Sequence, residues 1–233
     1  MVKEINPKDT KREAAFDYWK SAAMPMTTIC KTLDVSRLIS VSQKHKYRFN
    51  MMMCWCVSRA AAQMEEFYTL PVGEVLMKYD SLAIGTVVKT LEGNICTCDI
   101  PLCYSLDLFS REYLTLTRHV QNTGTSYNLN ENYMVVDTTP LIDLDMDGIQ
   151  SAYSPSDNNP CLVWGKFRRR FFKTVLPISF RFHHTQMDES HAAMFLNFLQ
   201  QEINKVTPPP LPTSTVSLSM PVPPPPEPVE PTE

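Results

Sequence analysis

Residues 176–205 read LPISFRFHHTQMDESHAAMFLNFLQQEINK, in which one periodic pattern gives way to another at a pair of histidines. Every second residue from Leu176 to Phe182 is apolar, which is the period of a β-strand with one buried face. Beyond the histidines, apolar side chains return at steps of three and four residues, as on one side of an amphipathic helix. These are Ala192, Phe195, Leu196, Leu199 and Ile203. The sequence therefore predicts a strand over 176–182 and a helix over 191–205, joined by a short loop.

This loop carries the residues best suited to chemistry. An imidazole titrates near neutral pH, so His184 can remove a proton from a hydroxyl and return one to a thiolate. Asp188, four residues later, can fold back and pair with a cation that holds the loop. A simpler interpretation makes His183 and His184 ordinary loop residues and Asp188 the N-cap of the helix that follows. The spacing His-x-x-x-Asp is short and leaves both interpretations open.

The surrounding sequence resembles the chloramphenicol acetyltransferase family. Residues 183–201 are similar, without a gap, to that family's signature HHAxxDGxHxxxxLNxLQQ. Further similar segments are Arg12 with Phe16, Leu33-Asp34, Lys44–Tyr47, Glu66-Phe67 and Gly165-Lys166-Phe167. The resemblance covers residues 1 to about 206 and is most specific at the double histidine.

The resemblance implies an α/β fold in which a two-layer mixed sheet packs with helices. It also implies an O-acetyltransferase that uses acetyl-CoA as co-substrate, needs no metal, and acts on a chloramphenicol-like antibiotic or another small hydroxylated acceptor. In such an enzyme His184 would be the general base of a ternary complex. Asp188 would pair with Arg12 and hold the loop, and Lys166 would lie near the coenzyme channel. The family's subunits form trimers with active sites at their interfaces, so a homotrimer is implied as well.

Two positions depart from the family's pattern at the expected site. Glu189 stands where the family has a glycine, and the glutamate adds bulk and a negative charge at this position. Met146 aligns with a serine whose hydroxyl binds the oxyanion, and a thioether cannot donate a hydrogen bond. Losing one oxyanion donor typically costs about 100- to 1,000-fold in turnover. Thr138 or Thr139 is a substitute donor if the register shifts.

Three further segments near these positions affect which ligand the site can bind. Asp143, Asp145 and Asp147 form an acidic run that would disfavour an oxyanion and could instead bind a cation, although the run lacks the glycine and distal glutamate of a calcium loop. The basic turn predicted at Arg168–Arg170 either contacts coenzyme phosphates or is simply solvated. Pro25 and Thr27 stand near the cysteine and tyrosine of the family's chloramphenicol pocket, which predicts a different acceptor.

Composition limits the class of protein. The chain has 233 residues, is 43% hydrophobic and carries a net charge of −3, which favours one α/β domain and argues against a nucleic-acid surface. No run approaches the roughly 20 apolar residues of a membrane span, and the N-terminus lacks the apolar core of a signal peptide. The seven cysteines have mostly apolar neighbours and are odd in number, which indicates reduced, buried thiols. We therefore expect a cytosolic protein. Metal binding by Cys54 with Cys56, or by Cys96 with Cys98, is the less favoured alternative.

The domain organisation follows from one break in composition. Residues 1–206 are predicted to form the chloramphenicol-acetyltransferase-like domain, with helices near 10–23 and 49–64. From Thr207 to Glu233 the chain is rich in proline, which lacks an amide proton and fixes φ. This segment is predicted to be a disordered tail that tethers or solubilises the domain, with docking to a proline-recognising partner as the alternative.

Two functions from different classes remain open at this point. The first is the acetyltransferase, and the second is a catalytically impaired relative kept as a binding or scaffolding module. A hydroxyl that faces His184 in place of Met146 would favour the enzyme.

Overall fold

A computed structural model of the chain describes residues 2–150 and 157–207. The helices are α1 (Glu13–Trp19), α2 (Ser36–His45), α3 (Phe49–Ala61), α4 (Leu106–Thr123) and α5 (Glu189–Lys205). The strands are β1 (Lys3–Ile5), β2 (Met26–Asp34), β3 (Thr69–Val72), β4 (Val75–Lys78), β5 (Ser81–Lys89), β6 (Ile95–Pro101), β7 (Tyr133–Pro140), β8 (Cys161–Trp164), β9 (Arg168–Arg170) and β10 (Lys173–His183). The predicted α/β class is confirmed.

Most of the described strands belong to one mixed sheet. Its order is β2-β10-β8-β7-β5-β6, and β9 also pairs with β10. Strand β10 is antiparallel to β2, β8 and β9, whereas β7 is parallel to both β5 and β8. A separate small antiparallel sheet has the order β1-β4-β3. The long strand that leads to the histidines therefore lies inside the sheet, with β2 next to it at the edge.

Helices α2, α3, α4 and α5 pack on one face of the large sheet. Leu176, Ile178, Phe180 and Phe182 of β10 are fully buried there, as the alternating pattern predicts. They pack in one core with α3, whose methionines and cysteines are all buried, and with the apolar stripe of α5. At about 25 cal/mol per Å² of apolar surface, each such side chain contributes about 1.5–3 kcal/mol. This packing fixes the direction in which β10 delivers His183 and His184.

The opposite face of the same strands carries smaller and more polar side chains. Ser179 and Arg181 of β10 lie opposite Val163 and Cys161 of β8. Cys161 and Val163 form a small apolar cluster with Met146, separate from the main core. The two faces of the sheet are therefore chemically distinct, a difference that affects where the site residues lie.

The basic run Arg168–Arg170 is a strand and not the turn that we predicted. It pairs with residues 173–175 of β10, and the turn falls at Phe171 and Phe172 instead. Phe171 has a φ of 50°, in the left-handed region that bulky residues rarely occupy. Both phenylalanines are fully exposed. The prediction was wrong because an apolar pair is an unusual choice for a hairpin turn.

Two further predictions concern the C-terminal tail and membrane-spanning segments. The predicted proline-rich tail, apart from Thr207, lies outside the described residues. Within residues 2–150 and 157–207, no helix is both long and apolar enough to span a bilayer.

Candidate active site

His184 lies just beyond the end of β10 and is held on three sides. Its amide donates a hydrogen bond to the carbonyl of Pro25 at 2.9 Å. Its ring stacks on Trp19 of α1, with centroids 4.4 Å apart and planes only 13° from parallel. The rings of Phe182 and His184 lie at 74° to each other, with their centroids 5.8 Å apart. The imidazole is therefore positioned by packing on the same side of the sheet as Phe182.

The Nε2 atom of His184 faces two polar side chains. The hydroxyl Oγ1 of Thr27 lies 2.7 Å away, and the carboxylate Oε1 of Glu189 lies 3.4 Å away. When Nε2 carries no proton, the Thr27 hydroxyl donates to it. The Glu189 carboxylate then stands ready to stabilise the positive charge that develops when the imidazole takes up a proton. The arrangement is that of a base next to a hydroxyl.

His183 has a different environment from its neighbour. It is only 2% exposed, and its Nδ1 accepts a hydrogen bond from the amide of Thr185 at 3.0 Å. Burial, helped by the neighbouring His184, lowers the pKa of His183 to about 4. His183 is therefore neutral at physiological pH, and it shapes the loop through its ring nitrogen.

The guanidinium of Arg12 gathers the loop after His184. Its nitrogens donate to the carbonyl oxygens of His184 and Thr185 and to the carboxylate of Asp188, the last at 3.1 Å. The side chains of Arg12 and Asp188 are 18% and 39% exposed. One planar, permanently charged group thus fixes both ends of the segment 184–188.

Asp188 serves two partners at once. It is the N-cap of α5, where its Oδ1 accepts from the amides of Ser190 and His191 while its Oδ2 accepts from Arg12. Burial by itself would raise the pKa of Asp188, but the hydrogen bonds from Ser190 and His191, the charge of His191 and the Arg12 guanidinium hold that pKa below its usual range. The two sequence interpretations of this aspartate, as N-cap and as ion-pair partner, describe the same residue in one geometry.

His191 extends this network towards the small sheet. Its Nδ1 lies 2.8 Å from Asp188, and its Nε2 lies 3.2 Å from Glu66. Glu66 precedes a buried phenylalanine, Phe67, that packs on Phe180 and Phe195. The histidine that the family signature shares at this position therefore ties the start of α5 to the core.

Met146 lies on the other side of the sheet from His184. It packs with Cys161 and Val163, whose side chains leave the sheet opposite to those of Phe180 and Phe182. Within one chain, the predicted position of the oxyanion donor and the predicted base are thus not brought together. This is a finding that the alignment of residue types could not give.

The substitute donors that we considered, Thr138 and Thr139, are not next to His184 either. Thr138 is 1% exposed and donates to the carbonyl of Gly85, deep in the core. Thr139 lies opposite Val163 on the face that carries Met146. The hydroxyl that does face His184 belongs to Thr27, which the sequence indicated only as part of an altered acceptor pocket.

The segment around Lys166 is organised by an arginine. Lys166 is exposed, and its amide donates to the carbonyl of Leu144 at 2.8 Å. Arg168 binds the carboxylates of Asp145 and Asp147 and the carbonyl of Met146. Two carboxylates of the acidic run are therefore neutralised by a side chain. In the described ranges no cluster of three or more histidine, cysteine or acidic side chains is arranged to hold a metal ion.

Solved structures with the same architecture define the class to which this fold belongs. A chloramphenicol acetyltransferase aligns over 87% of this chain and 100% of its own, with a TM-score of 0.78 at 20% identity. A probable dihydrolipoamide acetyltransferase from Listeria monocytogenes aligns over 92% of this chain and 97% of its own, with a TM-score of 0.63 at 14% identity. The fold is that of the class shared by these acetyltransferases.

The family within this class follows from the sequence comparison. Residues 2–200 match the family described as chloramphenicol acetyltransferase. A relative of that name, chloramphenicol acetyltransferase 2 from Escherichia coli, is 26% identical over 172 residues, which are 72% of this chain and 81% of the relative. The chain belongs to the chloramphenicol acetyltransferase family, and the resemblance stated from its motifs is confirmed.

Proposed function

We propose that this protein is an acetyl-CoA-dependent O-acetyltransferase in which His184 is the general base. The observation that carries the proposal is the environment of Nε2. This atom is held by the stack on Trp19 and by the end of β10, and it faces a hydroxyl at 2.7 Å, within the reach that proton transfer requires. Membership of a family whose members are named acetyltransferases supplies the reaction class.

The reaction needs two proton movements at one nitrogen. His184 takes the proton of the acceptor hydroxyl as the oxygen attacks the thioester carbonyl of acetyl-CoA. When the carbon–sulfur bond breaks, the imidazolium returns the proton to the CoA thiolate. Glu189, 3.4 Å from Nε2, stabilises the imidazolium between these steps. The glutamate that departs from the family's glycine thus acquires an electrostatic role.

Arg12, Asp188 and Trp19 position the base without touching the reacting atoms. Arg12 binds the backbone of residues 184 and 185, and Asp188 anchors the loop to the start of α5. A base displaced by about 1 Å can lose about 100-fold in rate, so this support affects turnover. The family resemblance implies site roles for Arg12 and Asp188, and the contacts of these two residues support those roles.

The two faces of the sheet support a homotrimer with shared active sites. His184 lies on the Phe182 side of the sheet, whereas Met146 and Thr139 lie on the other side. A second copy of the chain can present the latter face to His184, as in the trimers that the family resemblance implies. The exposed Lys166, next to the same segment, is then placed to meet acetyl-CoA.

The acceptor that we propose is a small hydroxylated molecule other than chloramphenicol. Pro25 and Thr27 stand near positions where the family resemblance implies a cysteine and a tyrosine, and Thr27 contacts the base directly. Glu189 adds a carboxylate that is 61% exposed beside the base. The negative charge of this carboxylate disfavours anionic acceptors by electrostatic repulsion.

One observation favours the alternative function, a binding module that has lost catalysis. Met146 is buried in an apolar cluster and has no hydrogen to donate to an oxyanion. Under this alternative the chain still binds CoA or a partner, but His184 contributes nothing to turnover.

The test is release of CoA thiol from acetyl-CoA with a panel of hydroxylated acceptors, chloramphenicol included. Wild type is compared with His184→Ala, and CoA binding is measured in parallel by calorimetry. His184-dependent thiol release with at least one acceptor supports the enzyme. CoA binding without any His184-dependent release supports the binding module, and absence of both rules out the proposed function.

A further inference from the structure

The turn between β9 and β10 presents two phenylalanines to solvent. Phe171 and Phe172 are both fully exposed, and Phe171 adopts its left-handed backbone conformation without burying its ring. Phe167, just before β9, is a third exposed ring. Adjacent aromatic side chains in water are unfavourable, and contact with another apolar surface removes this cost. The turn is therefore a candidate docking surface.

Arginines stand directly before the two exposed rings. Arg169 and Arg170 are exposed, and neither forms a salt bridge with any residue in 2–150 or 157–207. Residues 169–172 therefore combine two available positive charges with two phenyl rings, and we call them the hairpin tip. An occupant that fits this tip carries carboxylates together with groups that pack on aromatic faces.

The C-terminal segment of this chain has that chemistry. Residues 223–226 are four consecutive prolines, Glu227 and Glu230 follow them, and no lysine or arginine occurs from residue 208 to 233. The three glutamates of this segment account for the whole net charge of −3, so residues 1–206 are neutral. Proline-rich segments bind aromatic surfaces because their extended conformation costs little entropy to fix.

The same segment begins beside the hairpin. The carbonyl of Val206 accepts a hydrogen bond from Nε of Arg37 at 3.0 Å. Ser36, the residue before Arg37, accepts at its hydroxyl from the amide of Thr174 at 2.8 Å. Thr174 in turn pairs with Arg169 across β9 and β10. A continuous set of contacts thus connects the last described residues with the hairpin tip.

We propose that residues 223–230 dock on the hairpin tip of the same chain. The prolines pack on the two phenyl rings, and the two glutamates face the two arginines. Residues 208–222 connect the two partners, and a flexible chain of 15 residues spans on average about 20 Å. A tether of this length gives an effective concentration in the millimolar range, so weak contacts are sufficient. The inference goes beyond the proposed function and does not depend on it.

Two other occupants of the tip fit less well. An anionic membrane attracts the two arginines, but it repels the acidic segment that starts beside them, and the remainder of the chain is neutral. A second copy that used the same tip would place arginines against arginines, because a two-fold contact pairs identical surfaces. The proline-rich segment offers complementary charge and is already tethered nearby.

The experiment places the photo-crosslinker p-benzoylphenylalanine at position 172 of the 233-residue chain. The side chain that it replaces is fully exposed and aromatic, so the fold is retained, which circular dichroism checks. After irradiation, mass spectrometry locates the crosslinked peptides, and a denaturing gel separates single chains from joined ones. The matched control carries the same group in place of Leu91. This exposed apolar residue lies in the turn between β5 and β6, at the other end of the sheet.

Two tail variants of the chain labelled at position 172 test the charge contact. One combines Glu227→Gln with Glu230→Gln and removes both proposed partners of the arginines. The other, Glu233→Gln, removes a carboxylate outside the docking segment.

The expected result is crosslinking within single chains from position 172 to residues 220–231, with at least about fivefold less from position 91. The variant with Glu227→Gln and Glu230→Gln should lower the yield at least about threefold, and high salt should do the same. Glu233→Gln should retain the yield.

Three outcomes would overturn the proposal. The first is equal crosslinking to the tail from positions 172 and 91, or none from either. The second is a product that joins two chains, whether through two tips or through the tip of one and the tail of the other. The third is flotation of the wild-type chain with phosphatidylserine vesicles that Phe172→Ser abolishes, which would assign the tip to a lipid surface.

Discussion

Arg12 and Asp188 are 176 residues apart in the chain, and their side chains meet at 3.1 Å. The same guanidinium binds two carbonyl oxygens of the loop that carries His184, so an N-terminal residue sets the position of a C-terminal one. The network makes the base sensitive to changes far from it.

Replacement of Arg12 tests this network. Arg12→Ala leaves Asp188 and two loop carbonyls without their donor, which should cost about 2 kcal/mol of unfolding free energy because the pair is partly exposed. At this chain length the melting temperature should fall by roughly 4–8 °C. Arg12→Lys keeps the charge but loses the planar group that binds three acceptors. Its melting temperature should therefore lie between those of wild type and Arg12→Ala. A melting temperature of Arg12→Ala equal to that of wild type would contradict the network.

Trp19 should affect turnover more than stability. Its indole stacks on the imidazole of His184 at 4.4 Å, and removing it leaves the ring free to leave its productive orientation. We expect Trp19→Ala to lower kcat at least about tenfold with little change in CoA affinity. Trp19→Phe, which retains an aromatic face, should retain most of kcat. Steady-state kinetics with the best acceptor would reject the positioning role if both variants behaved alike.

The buried His183 predicts a dependence of stability on pH. Its pKa is about 4 in the folded chain and 6.5 in its ordinary state, so the unfolded chain binds more protons between these values. The contribution of His183 is therefore fully present above pH 6.5 and is lost as the pH falls towards 4, by about 3 kcal/mol in all. His183→Asn, whose Oδ1 can replace Nδ1 as acceptor, should lose less stability over that range. Chemical denaturation at pH 7, 5.5 and 4.5 measures the free energy of unfolding of both chains. An equal loss of this free energy in wild type and His183→Asn as the pH falls would contradict the prediction.

Gly165 should tolerate no side chain. A Cβ at this position would lie 2.7 Å from Cγ of Met146 and 2.8 Å from the carbonyl oxygen of Leu144. The methionine can move but the backbone oxygen cannot, so Gly165→Ala should cost about 1–3 kcal/mol. The double variant with Met146→Ala removes only the first clash, because the carbonyl remains. The melting temperature of the double variant should therefore be no higher than that of Met146→Ala alone. A higher value would contradict the clash with the Leu144 carbonyl.

The sequence predicted the central elements because their patterns are local. Strand β10 alternates strictly, α5 has a continuous apolar stripe, and the double histidine falls between them. Helix α4 was not predicted, since the structure buries Ser110 and Thr117 on its inner side and so interrupts the apolar period. Thr117 is accommodated there because its hydroxyl donates to the carbonyl of Tyr113 in the preceding turn.

The candidate site was predictable in its residue types but not in its arrangement. Motif matching named His184, Asp188 and Arg12, and Arg12 binds both of the other residues. It could not show that Thr27 faces His184, since that contact depends on the register of β2 against β10 across about 150 residues of chain. Nor could it show that Met146 lies on the other face of the sheet, since that depends on the packing of Met146 against Cys161 and Val163 of β8.

The most direct test of the account is the kcat for acetyl transfer by His184→Gln, measured together with its dissociation constant for CoA. Glutamine approximates the size of the imidazole but cannot take up a proton at neutral pH. The account predicts a loss in kcat of about 100- to 10,000-fold with CoA affinity unchanged. An unchanged kcat would contradict the role of His184 as the base.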